Sequence, residues 1–62
     1  MNDIVIIDSL VRHKVDGRIM LVKAIFHDED ESSNLVECEL YEGGALITVL
    51  VPLSELETMT RF

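Results

Sequence analysis

Apolar runs of strand length alternate with polar turn segments along this chain, and no helical period of useful length appears. Ile4 to Val11 reads as a first strand, rich in β-branched residues. The polar stretch Arg12-His13-Lys14-Val15-Asp16-Gly17 follows and ends in Asp-Gly, a strong turn dipeptide. Arg18 to Phe26 makes a second strand that is apolar on both faces. Met20, Val22, Ala24 and Phe26 share one face, and Ile19, Leu21 and Ile25 the other. A strand of that kind is covered on both sides or bends across a barrel corner.

His27 to Asn34 holds no apolar residue and has the densest charge in the chain, which predicts a solvated loop. Leu35 to Tyr41 then alternates cleanly, with Val36, Cys38 and Leu40 on one side and Glu37 and Glu39 on the other. That is a strand with one wet face. Glu42-Gly43-Gly44 predicts a tight hairpin, because glycine takes positive φ without steric cost. The fourth strand, Ala45 to Val51, places Ala45, Ile47, Val49 and Val51 on one face and Leu46, Thr48 and Leu50 on the other. Pro52 stops it, having no N–H to give a ladder. Pro52 to Leu56 has the length of one helical turn, and Thr58 to Phe62 of a short last strand.

Four strands, one helical turn and a fifth strand predict an all-β fold. The specific expectation is a single domain over residues 1–62, a small SH3-like five-stranded antiparallel barrel with one short helical turn before the last strand. The alternative is an open antiparallel meander whose edges pair with a second subunit.

Three segments carry a resemblance. They are Asp16-Gly17-Arg18-Ile19-Met20-Leu21-Val22, Val36-Glu37-Cys38-Glu39-Leu40-Tyr41-Glu42-Gly43-Gly44 and Val51-Pro52-Leu53-Ser54-Glu55-Leu56. Together they resemble the YodC-type small bacterial proteins. That pattern has a Gly-rich turn, a Met-containing strand, a Cys-containing strand ending in an aromatic-acidic-Gly turn, and a proline-led closing segment. The resemblance runs over roughly residues 9 to 56. Leu40 stands where the family has a tryptophan, and the long acidic loop departs from the pattern. The resemblance implies an SH3-like fold and no particular activity, because fold does not fix function.

Composition narrows the classes. Sixty-two residues lie near the lower limit for unaided folding. Burial worth roughly 90 kcal/mol is offset by ordering costs of about the same size, so a subunit interface would help considerably. Cys38 is the lone cysteine, which fits a reducing compartment and makes the cytoplasm the expected location. The apolar run Ile4-Val5-Ile6-Ile7 is closed off by Asp3 and Asp8, too short for a signal-peptide core. No run approaches the length that spans a bilayer, so no membrane role is expected.

The net charge is −7, and it is uneven. Up to Ala24, Arg12, Lys14, Arg18 and Lys23 outnumber three acids; from Ile25 onward nine acids face Arg61 alone. Such a chain is repelled by phosphate backbones at long range, which disfavours nucleic acid as a partner.

Candidate chemistry is sparse. Cys38 with His13 or His27 as base would be a nucleophile pair, but its alternation with Val36 and Leu40 places the thiol in the core, where it is inert. No phosphate loop, nucleophile elbow or paired-carboxylate motif is present, and no enzyme is expected. His27, Asp28, Asp30 and Glu31 are ligand types on one loop, without the glycine and terminal glutamate of a calcium loop. Two histidines and one buried cysteine do not make a zinc site. No metal and no cofactor are expected.

Three surfaces remain. The basic patch of Arg12, Lys14, Arg18 and Lys23 either contacts an acidic partner or balances the acidic loop, and it lacks stacking aromatics. The acidic surface comprises Asp28, Glu29, Asp30, Glu31, Glu37, Glu39 and Glu42. The third signal is a surplus of outward apolar residues, since a closed barrel points only one face of each strand inward. Leu21, Ile25, Leu46 and Leu50 form the candidate interaction face, and large exposed apolar patches mark contact sites. The expected function is a non-enzymatic protein-interaction module that docks on a protein partner or on itself as a homodimer. The alternatives are an acidic nucleic-acid mimic that captures a basic DNA-binding protein, and a weak nucleic-acid binder using Arg12 to Lys23.

Overall fold

The computed structural model describes residues 5–30 and 33–59. It is all-β, with five antiparallel strands in one sheet and a 3-10 turn before the last strand. The strands are β1 (Leu10–His13), β2 (Ile19–Phe26), β3 (Leu35–Glu42), β4 (Ala45–Pro52) and β5 (Leu56–Thr58), and the 3-10 turn covers Leu53–Glu55. Their spatial order is β4-β3-β2-β1-β5. The last strand thus returns beside the first, the arrangement expected of an SH3-like module. Among the described residues no ladder joins β4 to β5, so the sheet curls without closing and keeps two edges.

One face of this sheet makes the core. Val11, Met20, Val22, Val36, Cys38, Leu40, Val51 and Leu56 are buried there, drawn from all five strands. With no second layer to cover it, an apolar face of this size is buried by curling the sheet on itself.

The turns follow from their residues. Gly43 and Gly44 have φ of 62° and 83°, the two positive values that a two-residue hairpin loop requires. Between β1 and β2, the Gly17 N–H donates to the His13 carbonyl at 2.9 Å, and the Asp16 carboxylate accepts the Arg18 N–H at 3.0 Å. Asn34 closes the acidic loop. It is buried, its Oδ1 accepts the Asp28 N–H at 2.8 Å, and its carbonyl accepts the Leu53 N–H at 2.9 Å. One residue, through its side chain to Asp28 and its main chain to Leu53, therefore ties the loop to the β4–β5 crossing.

Three expectations are corrected. The first strand, expected over residues 4–11, begins at Leu10 and runs on to His13. Asp8, at φ 73°, interrupts it: the Asp8 N–H donates to the Val22 carbonyl and the Val22 N–H to the Ser9 carbonyl. Asp8 and Ser9 together oppose Val22, a bulge whose left-handed position is usually a glycine. The last strand lies earlier than expected, over Leu56–Thr58, and residues 60–62 of the expected strand lie outside the described residues.

The third correction concerns β2. Val22 pairs with Cys38 but Ala24 pairs with Glu37, so Lys23 is an extra residue with no partner on β3. A strand alternates faces with a period of two, and one extra residue inverts every side chain beyond it. Ile25 consequently pairs with buried Val36 and packs against the core. It does not share the outer face with Leu21, as unbroken alternation predicts.

Candidate interaction surface

The outer face of the sheet can be read row by row from the register. Leu10, Leu21, Glu39 and Thr48 lie opposite one another across β1 to β4. Tyr41 and Leu46 make the row toward the β3–β4 hairpin, and Ala24, Glu37 and Leu50 the row toward the acidic loop. Leu46 is 53% exposed and Leu50 58%. Leu10, Ile19, Leu21, Glu39, Tyr41 and Leu46 surround an open hollow of about 370 Å³, with Met20 and Leu40 also in its lining. Of the four residues expected on this face, Leu21, Leu46 and Leu50 are there and Ile25 is not. Leu10, Ile19 and Tyr41 enlarge it.

Glu37 and Glu39 stand between those apolar residues. Both are half-buried, and neither forms an ion pair among the described residues. The apolar face and part of the acidic surface are therefore one surface, with carboxylates flanked by leucines. The sequence put Glu37 and Glu39 on the wet side of β3; the pairing with β2 and β4 puts them among apolar neighbours. The other acidic residues are elsewhere. Asp28, Glu29 and Asp30 are exposed on the β2–β3 loop, Glu31 lies outside the described residues, and Glu42 is at the opposite end of β3.

Two of the four basic-patch residues, Arg12 and Arg18, are committed to carboxylates. Arg12 forms an ion pair with Glu57 across the β1–β5 ladder, its Nε donating at 2.9 Å. Arg18 reaches Glu42 at 2.7 Å and Asp16 at 3.5 Å. Lys14 Nζ donates to the Ser54 carbonyl at 3.0 Å. His13 joins this group, with Nε2 at 2.9 Å from Glu55. Lys23, at the bulge, has no ion pair among the described residues. These cations pair with the 3-10 turn, β5, the β1–β2 turn and the hairpin, and not with the loop acids Asp28 to Asp30. They bind the strand ends together, which spends their charge locally.

Cys38 is fully buried between Val36 and Leu40, and burial pushes its thiol pKa up, with the negative charge of Glu37 adding to the effect. A thiol in that state is a core side chain rather than a nucleophile. Among the described residues no three His, Cys, Asp or Glu side chains gather as metal ligands, and no helix is long and apolar enough to cross a membrane. No protein-family model, curated protein or solved structure matches this chain.

Proposed function

We propose that this chain is a non-enzymatic protein-interaction module, cytoplasmic by its lone thiol, that associates with a second copy of itself through the outer side of β4. The observation that carries this reading is Leu46 and Leu50, more than half exposed and on one face of an edge strand to either side of Thr48. Burying two such leucines in each copy supplies several kcal/mol at roughly 25 cal/mol per Å². In a chain near the lower size limit for a stable core, that is a large contribution.

The test is the solution mass of the parent and of Leu46→Ser/Leu50→Ser by sedimentation equilibrium, at low and high salt. The parent sediments as a dimer at both salts, and the double variant as a folded monomer. A parent that stays monomeric at every concentration refutes self-association.

A second reading is supported by Glu37 and Glu39. Half-buried carboxylates without ion partners among the described residues, Glu37 beside Leu50 and Glu39 beside Leu21, suit a basic protein surface that brings cations to an apolar patch. This is the acidic-mimic alternative in a narrower form, and it predicts capture of a basic DNA-binding protein that weakens with salt. Direct binding of nucleic acid has the least support, because Arg12 and Arg18 are already held by carboxylates.

A further inference from the structure

The two edges of the sheet are built differently. β5 is three residues long, follows the 3-10 turn, and carries Glu57 in its ion pair with Arg12. Short strands and charges are the usual means of blunting an edge. β4 is eight residues long, Ala45-Leu-Ile-Thr-Val-Leu-Val-Pro52, and is the one described strand with no charged or histidine side chain. In a chain of net charge −7 it is the stretch where two identical copies meet without like charges opposed.

Backbone parity shows which groups on that edge are free. The Val22 N–H and carbonyl are both used toward the β1 side, by Ser9 and Asp8. Neighbouring residues of a strand bond to opposite sides. Leu21 therefore bonds toward β3 and its partner Glu39 toward β2, which leaves Cys38 and Leu40 bonding toward β4. Their partners Val49 and Ile47 return those bonds, so the N–H and carbonyl groups of Leu46, Thr48 and Leu50 point away from the sheet. The hairpin gives the same answer, since the pair flanking a two-residue loop, Glu42 and Ala45, is hydrogen-bonded.

We infer that a second copy pairs here, β4 antiparallel to β4, about a two-fold axis through Thr48. This rests on the self-association reading and specifies its geometry. Thr48 then faces the partner's Thr48, and Leu46 faces the partner's Leu50. Each of these pairs exchanges both its hydrogen bonds, as the free groups require. Centring on Ile47 instead would set Leu50 against Gly44 in the hairpin turn. Centring on Val49 would set Leu46 against Pro52, which has no N–H to give.

The Thr48 register also brings the four outward leucines together on one face, as opposed pairs. Packing the two outer faces against each other is the competing arrangement. It would bury Glu37 and Glu39 of both copies among like charges, whereas edge pairing leaves them facing solvent. Continuous sheet across a two-fold is the isologous arrangement that a self-complementary strand produces.

Two variants test this against the parent dimer. Thr48→Pro deletes the central N–H, which faces outward and is not part of the β3 ladder, so an edge proline leaves the fold in place. Loss of two bonds at the axis weakens dimerisation by about thirtyfold or more. Thr48→Cys places two thiols on Cα atoms about 5.5 Å apart, within disulfide reach, and mild oxidation cross-links the dimer. Leu46→Cys is the register control, with its two copies about 13 Å apart along the strands, and it does not cross-link. Cys38 is buried and stays out of the reaction. Should Thr48→Pro not fold, the cross-linking pair decides. A dimer that survives Thr48→Pro and forms no disulfide through Thr48→Cys overturns edge pairing and leaves self-association by another face. A monomeric parent overturns both.

Discussion

Asn34 is the residue whose replacement most directly tests how the acidic loop is held. It is 5% exposed, and its side chain contributes one strong bond, from the Asp28 N–H to Oδ1 at 2.8 Å. The contact of Nδ2 with His27 Nδ1 is 3.5 Å long and adds little. The bond from the Leu53 N–H goes to the Asn34 main chain and survives any side-chain change. Asn34→Ala thus removes one net hydrogen bond, and water can reach the freed N–H because Asp28 is exposed. The loss is about 1 kcal/mol, or roughly 4–8 °C in thermal midpoint for a domain of this size.

Asn34→Asp separates hydrogen bonding from charge. It keeps the acceptor for Asp28 but sets a buried carboxylate beside Asp28, Glu29 and Asp30 on the same loop. Burial and like charge raise a carboxyl pKa in the folded state. Its penalty is therefore present above the ordinary aspartate value and disappears as acid protonates the folded carboxyl. Thermal and urea unfolding followed by far-UV circular dichroism at pH 7 and pH 4 measures both variants. The alanine loss is the same at both pH values, and the aspartate loss is larger at pH 7. An alanine variant within about 0.5 kcal/mol of the parent, as for a surface substitution, refutes the clamp.

Two further outcomes follow from positions already described. Asp8→Gly relieves a left-handed backbone that costs an L residue about 1–2 kcal/mol, less the chain entropy glycine adds when unfolded. Chemical denaturation reads a net gain of about 0.5–1 kcal/mol, and a loss would mean that the Asp8 side chain itself holds the bulge. Cys38 reacts with a thiol reagent far more slowly in the native protein than in denaturant, because it is buried and its pKa is raised. The stability gained by keeping the thiol neutral is complete at neutral pH and is lost only as pH rises past the ordinary thiol range. Equal labelling rates with and without denaturant refute that placement.

Much of the architecture is legible in the residues, and the misses share one cause. Gly43-Gly44, Pro52 and the alternation of β3 each act locally, and the hairpin, the 3-10 turn and the strand faces stand where those residues put them. Lys23 and Asp8 give no local signal, since neither lysine nor aspartate marks a bulge by type. What makes them bulges is the pairing of β2 with its two neighbours, which single-strand periodicity does not contain. The same holds for the site. The exposure of Leu46 and Leu50 follows from period two, whereas the loss of Ile25 from that face and the insertion of Glu37 and Glu39 depend on register. Asn34 shows the limit for polar residues: within a charged run it reads as loop, and only the crossing of the β4–β5 connection above it makes it a buried clamp.

The unpaired Lys23 also sets where this chain tolerates a change of length. Removing Lys23 itself restores an unbroken count of two and leaves Val22, Ala24 and Ile25 opposite Cys38, Glu37 and Val36 as before. Removing a second residue from β2 turns Ile25 out to solvent and exchanges the inner and outer sides of half the strand. The loop between Phe26 and Leu35 has no such parity to keep. Doubling its length costs only about 0.6 kcal/mol of closure entropy, provided Asn34 stays in place. Tags, linkers and inserted epitopes therefore belong in the acidic loop ahead of Asn34, while in β2 the number of residues matters as much as their identity.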